Sequence, residues 1–568
     1  MSNAHPEHSA LHHASKFTSK QRTIALVVVA LAFVMDLLDT TIVNIAIPSI
    51  QHNLGASFAA IQWMIAGYAL TFAVLLITGG RMGDVFGYKK LFLFGVGGFT
   101  IASLLCGLAW NPEVLIGARL IQGAMAALMV PQVMSLMQVM YKPSERTAVM
   151  GLFGALGGLA ASLGPIIGGF LIHANIAGLD WRPIFLINVP VGIFALIMAI
   201  KFLPEGKSAH PLKLDLAGTG IIMIALTLLV FPLIQGRELD WPAWTFIMMA
   251  ASLPVLALFA LWQKRKDQAD GSPLVAPVLF KASSFIKGLV TNVIFQGVIV
   301  GFFLPFTILL QAGLGYDVML AAATGIPTAL GIGLSMGLFG QKLIPKLGRY
   351  VLSLGAVVMT IGLGITYWTI QANGLDVQPW HFIPGLLITG SGMGLIVAPI
   401  FAITLNDIDP KNAGSASGVM NAVQQVGGAI GVALIGVVFF GQLTQHANAS
   451  FTAIEPQIRT ELAKANVPAE VQTHIIDGAK ACYTDRAAQK DAHETPESCK
   501  VLENQPATPG SEAIGKVLTD GVKEANSNNF TNAFKAVVIY ESILIAITFI
   551  LSFFLPRYIR PEAMQQGH

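Results

Sequence analysis

Charge is scarce in this sequence: Asp, Glu, Lys and Arg make up 11% of 568 residues, against 54% hydrophobic ones. A chain so poor in charge cannot turn most of its surface to water, which excludes a string of soluble domains and points to a membrane class. The net charge is only +3 and spread along the chain, so nucleic acid is not an expected partner. No GxxxxGK[ST] phosphate loop occurs, so ATP is not the energy source. No nucleophile–base pair marks an enzyme, and no cofactor is expected. His5, His8, His12 and His13 invite a metal reading, but they fall in a polar tail and no metal site is assigned.

What the chain has in quantity is long apolar runs. A spanning helix needs about 20 mostly apolar residues. Such runs lie near 24–48, 59–79, 90–110, 113–137, 148–173, 184–203, 214–234 and 243–263, then near 286–311, 320–340, 350–370, 381–405, 414–440 and 534–555. Backbone amides in hydrocarbon must be satisfied within the segment, so these are helices. Residues 1–20 are polar. The first apolar run lacks a small-residue cleavage site and is expected to remain as an anchor.

Lys and Arg placement tests the count. Arg81, Lys89, Lys90, Lys142, Arg146, Lys207, Lys213, Lys264, Arg265, Lys266, Lys342, Lys346 and Arg349 fall in alternate loops, with Arg182 and Arg237 as exceptions. Positive loops stay cytoplasmic, so both termini are expected inside. The one long connection, 441–533, then lies outside, with Cys482 and Cys499 in it. An oxidising exterior favours a disulfide between them over two free thiols. The loop mixes helical patterns such as QIRTELAKA with turn formers, which fits either a small helical cap or a solvated excursion. Cys106, inside a span, reads as packing.

Three segments stand out, the third of which, taken alone, is only a packing face. GGRMGDVFGYKK, Gly79 to Lys90, joins the second and third runs; its glycines let helix ends approach around a tight turn. Asp84 sits among cations and is expected to pair with a basic group or a helix N-terminus. In the fourth run, RLIQGAMAA places Arg119 inside the membrane, at a cost of at least about 2.5–3.5 kcal/mol near mid-depth, so a partner is expected. The alternative is that it snorkels to the outer surface about two turns away. The fifth run, GLFGALGGLAASLGPIIGGF, is rich in small residues that allow close helix contact, and Pro165 bends it.

These segments resemble motifs of the major facilitator superfamily. Gly80, Gly83, Asp84, Gly87, Lys89 and Lys90 match its loop signature, a cytoplasmic latch between two helical bundles; Gly83 and Tyr88 vary from the commonest form. RxxQGxxAA resembles the fourth-helix motif, whose arginine is linked to proton coupling. Gly164, Pro165, Gly168 and Gly169 match the motif that marks antiporters, with Ala160 in place of the usual upstream glycine. Asp39 to Pro48, Trp181 to Gly192, the Asp215/Gly218 pair and Gly414 to Gly431 resemble the fourteen-helix drug:proton antiporters. GQKLIPKLGR, Gly340 to Arg349, repeats the loop signature weakly and lacks a counterpart of Asp84.

The resemblance implies an all-α integral membrane protein of the major facilitator fold, multi-pass in a bacterial inner membrane. Its parts are a cytoplasmic tail 1–21, a six-helix bundle 22–203, two inserted helices 204–270, a second bundle 271–556 that includes the outer loop 441–533, and a tail 557–568. It implies proton-driven export of lipophilic, often cationic drugs, with drug-like molecules, protons and lipid as partners and a periplasmic adaptor protein as a further candidate. A dedicated exporter of one metabolite, lipid or siderophore uses the same machinery. A receptor or assembly factor without transport is the rival from another class.

Two carboxylates in one apolar helix are expensive unless they bind a proton or a cation. Asp36 and Asp39 share one face of the first run. The helical rise puts Asp39 about 13 Å and Asp36 about 18 Å below the outer end, and Arg119 about 9 Å. Asp39 is therefore expected to carry coupling with Arg119 tuning it, and Asp36 to be a second protonation site or a counter-charge for cations. The alternative for each is a purely structural role, capping backbone donors or fixing helix contacts. Asn44, Gln122, Gln296 and Gln424 are candidates for lining the cavity, as are Asn188, Asn421 and Gln425, and each could equally bridge helices. Glu541, near the outer end of the last run, reads as interfacial.

Overall fold

Among the described residues the apolar runs fall on helices, the tenth on two short ones. The computed structural model describes residues 19–557 apart from 142, 209–211, 237–238, 337–342, 344–345, 409–412, 490–495 and 504–510. The histidine-bearing tail, Lys142, Arg237, Gly340 and Lys342 lie outside the described residues. The helices are α1 (Ser19–Leu54), α2 (Phe58–Phe86), α3 (Tyr88–Gly107), α4 (Pro112–Met140), α5 (Pro143–His173) and α6 (Asn188–Phe202), followed by α7 (Leu216–Gln235) and α8 (Ala243–Asp270). Then come α9 (Ser283–Ile308, prolonged by a π turn Leu309–Gly313), α10 (Val318–Thr324 and Ile326–Leu334), α11 (Tyr350–Asn373), α12 (Pro379–Thr404), α13 (Ala413–Lys464), α14 (Ala469–Ala488), α15 (Glu497–Glu503) and α16 (Ser511–Ser552). Among the described residues there is no strand, and 12 helices are long and apolar enough to cross a membrane. Two shorter apolar stretches, Leu163–His173 and Val318–Leu334, fall in the fifth and tenth runs.

Local chemistry sets several boundaries. Ser57 caps α2 by accepting from the Ala60 amide, Asn111 caps α4 through the Val114 amide, and Asp215 caps α7 through the Gly218 amide; each satisfies an amide that the first turn leaves free. Gly87 joins α2 to α3 at φ 102°, a conformation that side chains other than glycine's resist. The tenth run is not one helix. Pro327 lacks an amide and crowds the preceding turn, so α10 is interrupted at Gly325.

Helices α1–α6 form one bundle, and α9–α13 with α16 form the other. The bundles meet along α2 with α13 and α5 with α10. Helices α7 and α8 pack on each other, and α7 lies on the α2–α13 seam, where Leu226, Val230 and Ile234 bury against Leu70, Val74, Ala429 and Ala433. Lipid tails are as apolar as leucine, so close approach rather than hydrophobic burial holds such helices together. A Cβ on Gly79 would fall on the Ala127 backbone, and one on Gly95 would lie 2.8 Å from the Met129 nitrogen.

The described residues of the connection 441–533 are largely helical and form a small cap. α13 runs on well past residue 440, to Lys464, and α16 begins at Ser511, well before residue 534. These extensions and α14 bury Phe451, Ile454, Ile458, Leu462, Ile476 and Tyr483 in a core of their own. Burying such side chains away from water is worth about 1.5–3 kcal/mol each. A disulfide between Cys482 and Cys499 ties α14 to α15.

Candidate functional site

The centre of the first bundle is a closed polar network. Asp39 of α1 and Arg119 of α4, 1% and 2% exposed, form an ion pair through Oδ2 and Nη1. Arg119 also donates from Nη1 to Gln122 Oε1 (2.8 Å) and from Nε to the Met64 carbonyl (3.1 Å). The other carboxylate oxygen of Asp39 accepts from Gln122 Nε2 (2.7 Å) and Asn188 Nδ2 (2.9 Å). Both amides donate in turn to Ser103 Oγ, at 2.8 and 2.9 Å. Five helices, α1, α2, α3, α4 and α6, thus converge on one carboxylate and one guanidinium.

Asp36 lies a turn away and is held differently. Its Oδ1 accepts from the Tyr68 hydroxyl at 2.5 Å, while the Tyr68 ring lies 4.2 Å from the Arg119 guanidinium carbon. Tyr68 therefore touches both charges, by its edge and by its face, and the face contact is a cation–π interaction. Asp39 receives a cationic donor and two amides, a set that suits a carboxylate. Asp36 receives one phenol. Two carboxylates against one guanidinium leave one negative charge in the cluster, to be balanced by a proton or another cation.

For two of the polar candidates the structure shows the interhelical alternative. Gln122 does not line open space; it is fully buried and bridges Asp39 to Arg119. Asn188, also a candidate lining group, is in the same network. Asn44, Gln296 and Gln424 are half-buried. Glu541 is not interfacial but fully buried between helices. Tyr68 and Ser103 were not singled out from sequence; a tyrosine in an apolar run, whose hydroxyl needs a partner once buried, was the available signal.

The motif-bearing end of α2 is anchored by Arg81, which lies in its last two turns. Its guanidinium donates to the Ser272 carbonyl at 2.9 Å, to that of Leu274 at 3.3 Å, and to that of Pro273 between them. Asp215 holds the same stretch, accepting from the Leu274 amide (3.3 Å), Trp262 Nε1 (2.9 Å) and Gln263 Nε2 (2.9 Å). Asp84 accepts from the Tyr88 hydroxyl at 2.9 Å rather than from a cation, Lys89 lies 3.6 Å from Glu205, and Lys90 is exposed. Gly80 lies against Pro131 of α4.

The small-residue segment of α5 meets both bundles. Cβ atoms on Gly164 and Gly168 would strike Thr41, Ile42 and Ile45 of α1. One on Gly169 would lie 2.7 Å from the Ala322 Cβ of α10, in the opposite bundle. Pro165 sits between these contacts, inside the helix.

A sequence profile of the Major Facilitator Superfamily matches residues 29–432. The chain belongs to that superfamily. A Streptomyces coelicolor protein named as a probable actinorhodin transporter is 40% identical over 95% of this chain and 93% of its own length. The puromycin resistance protein pur8 of Streptomyces alboniger is 33% identical over 74% of this chain and 82% of its own. Among solved structures, an inward-facing bacterial homologue of the human lysosomal transporter Spinster superposes with a TM-score of 0.56 over 95% of this chain and 98% of its own, at 16% identity. This major facilitator protein therefore falls in the drug-exporter branch; it is a multi-pass membrane transporter and not an enzyme. Where its two bundles meet near the cap, a cavity of about 460 Å³ opens among Pro48, His52, His173, Gln311 and Asp317.

Proposed function

We propose that this transporter exports lipophilic, often cationic small molecules in exchange for protons, by alternating access in a bacterial inner membrane with both termini cytoplasmic. The observation that carries the reading is the buried cluster of Asp36, Asp39 and Arg119, two carboxyl groups against one guanidinium. An intramembrane ionisable residue marks an ion or substrate pathway. A site that one proton or one cation neutralises lets the two compete, and competition for a shared charge is what exchange requires. Asp39 is the coupling carboxylate, Arg119 its partner, and Asp36 the second carboxyl. The loop Gly80–Lys90 acts as the cytoplasmic latch, and Gly164 to Gly169 as the close contact around which the bundles move.

The names of the relatives support small-molecule export. The relative that is 40% identical is named for the transport of one compound, which favours a second reading, export of a single endogenous metabolite. Everted vesicles carrying the full chain, energised by a pH gradient and offered ethidium and puromycin separately, test both. Proton release on adding either compound, abolished in Asp39→Asn, supports proton-coupled export. Absence of release with both compounds, despite a folded protein, removes the broad-drug reading.

A further inference from the structure

The second bundle holds a carboxyl group that the proposed cluster does not use. Glu541 of α16 is 0% exposed, and neither carboxylate oxygen has a hydrogen-bond partner among the described residues. Its Oε1 occupies the space that a side chain on Gly301 of α9 would fill, with Ile435 of α13 beside it. Val537, Val538 and Ile545, one turn to either side on α16, are buried too. No charged group on α9, α11, α13 or the turn Gly374–Asp376, all packed on α16, acts on it; its titratable neighbour is Tyr540 on its own helix.

A bare carboxylate with no donor in such a place is far too costly to persist, whereas the neutral acid fits. A structural role would be served as well by an apolar side chain of similar volume. The position in depth is also specific. Helices α1 and α9 run in the same direction and are tied where Gln311 donates to the Ile45 carbonyl at 3.0 Å. Counting back along each helix puts Gly301, and so Glu541, about 15 Å from that tie, and Asp36 about 14 Å. Each bundle thus carries a buried carboxyl at one level of the membrane.

We propose that Glu541 is a second proton-binding site, separate from the Asp39 cluster, that keeps its proton while α9, α13 and α16 are closed around it and exchanges it when they part. In that exchange the O–H bond of the acid breaks, its electron pair stays on the carboxylate and water takes the proton; reloading is the reverse. This inference rests on the proton-coupled reading of the transporter.

The full chain in liposomes tests it in two ways. Infrared spectra taken in light and heavy water at neutral pH, with no transported compound present, report the carbonyl stretch of protonated carboxyl groups. Glu541→Gln is expected to remove one such band and Glu541→Asp to keep it; an unchanged band in Glu541→Gln overturns the proposal. With ethidium as the probe, Glu541→Gln is expected to lower pH-driven accumulation about tenfold while ethidium exchange without a gradient persists. Unchanged pH-driven accumulation overturns the proposal. Should Glu541→Gln not fold, labelling of the wild-type chain by a hydrophobic carbodiimide, mapped by mass spectrometry, decides: Glu541 modified at neutral pH supports it, Glu541 unmodified overturns it. Retained coupling in Asp39→Asn sinks the coupling role of Asp39 alone, because the infrared band is read without transport.

Discussion

Asp39 and Arg119, 80 positions apart in the chain, form an ion pair sealed from solvent on both sides and backed by Gln122, Asn188 and Ser103. A pair so enclosed contributes little net stability, because desolvating two charges offsets their attraction. Breaking it is another matter. Asp39→Asn takes from the buried Arg119 its direct ion-pair partner and leaves only Asp36 nearby, a loss of up to about 3–5 kcal/mol. The thermal midpoint in detergent is expected to fall, and proton release on substrate addition to vanish. The double variant Asp39→Asn with Arg119→Gln is expected to recover the midpoint without recovering proton release. Recovery of both would show that the pair is structural.

Tyr68 links the pair to Asp36. Tyr68→Phe removes the one donor to Asp36 and keeps the ring over Arg119. Tyr68→Leu removes both, and a desolvated cation–π contact is worth about 2 kcal/mol. The midpoint is therefore expected to fall further in Tyr68→Leu than in Tyr68→Phe. Coupling, read as ethidium accumulated per unit pH gradient, is expected to fall in both. Equal midpoints would dismiss the ring contact.

The cap should be separable from transport. Its core is its own, and the Cys482–Cys499 bond closes a short stretch, with a sequence separation of 17. Losing the cross-link of a loop this size costs about 3 kcal/mol of local stability by the chain-entropy account. Cys482→Ser with Cys499→Ser is expected to speed proteolytic cutting within 465–510 several-fold while leaving pH-driven efflux unchanged. A matching loss of efflux would place the cap in the transport path.

Different layers of this structure were legible to different degrees. Helix positions followed from apolar runs because hydrocarbon demands them. The approach of Asp39 to Arg119 followed from similar depths, about 13 and 9 Å below the outer end, together with the motifs that carry the two residues. The cap was harder to read: Phe451, Ile454, Ile458 and Leu462 lie three and four apart, a helical stripe within a polar stretch that a hydropathy window averages away. Glu541 was misread for a related reason. Distance from a helix end gives depth, but only the packing of α9 and α13 shows that its face is closed. Arg81 looked like one more loop charge because its acceptors are backbone carbonyls, which no side-chain pattern betrays.

Arg81 joins the end of α2 to the segment that follows α8 through three consecutive carbonyls. Replacement by Gln leaves these acceptors with far fewer donors, and each charge-assisted bond is worth about 1.5–3 kcal/mol. Arg81→Gln is expected to speed amide hydrogen exchange around residues 271–276 and at the start of α7, with little change in the bundle centre. Protection unchanged around 271–276 would show that Asp215 alone holds the segment.

Gly168 and Gly169 are adjacent but face different bundles, and that separates two effects of added bulk. A side chain at Gly168 meets Ile42 and Ile45 of α1, within its own bundle; one at Gly169 meets Ala322 and Val318 of α10, across the seam. Overpacking inside a bundle costs about 1–3 kcal/mol, so Gly168→Val is expected to lower the thermal midpoint. Gly169→Val can be relieved by parting the bundles, so its midpoint is expected to hold. Its closed state should instead be lost, along with transport. Thiol labelling of a cysteine placed at Ser49, beside the cavity near the cap, reads this directly: faster labelling in Gly169→Val but not in Gly168→Val is expected. Equal labelling in both would mean that α5 and α10 do not separate there.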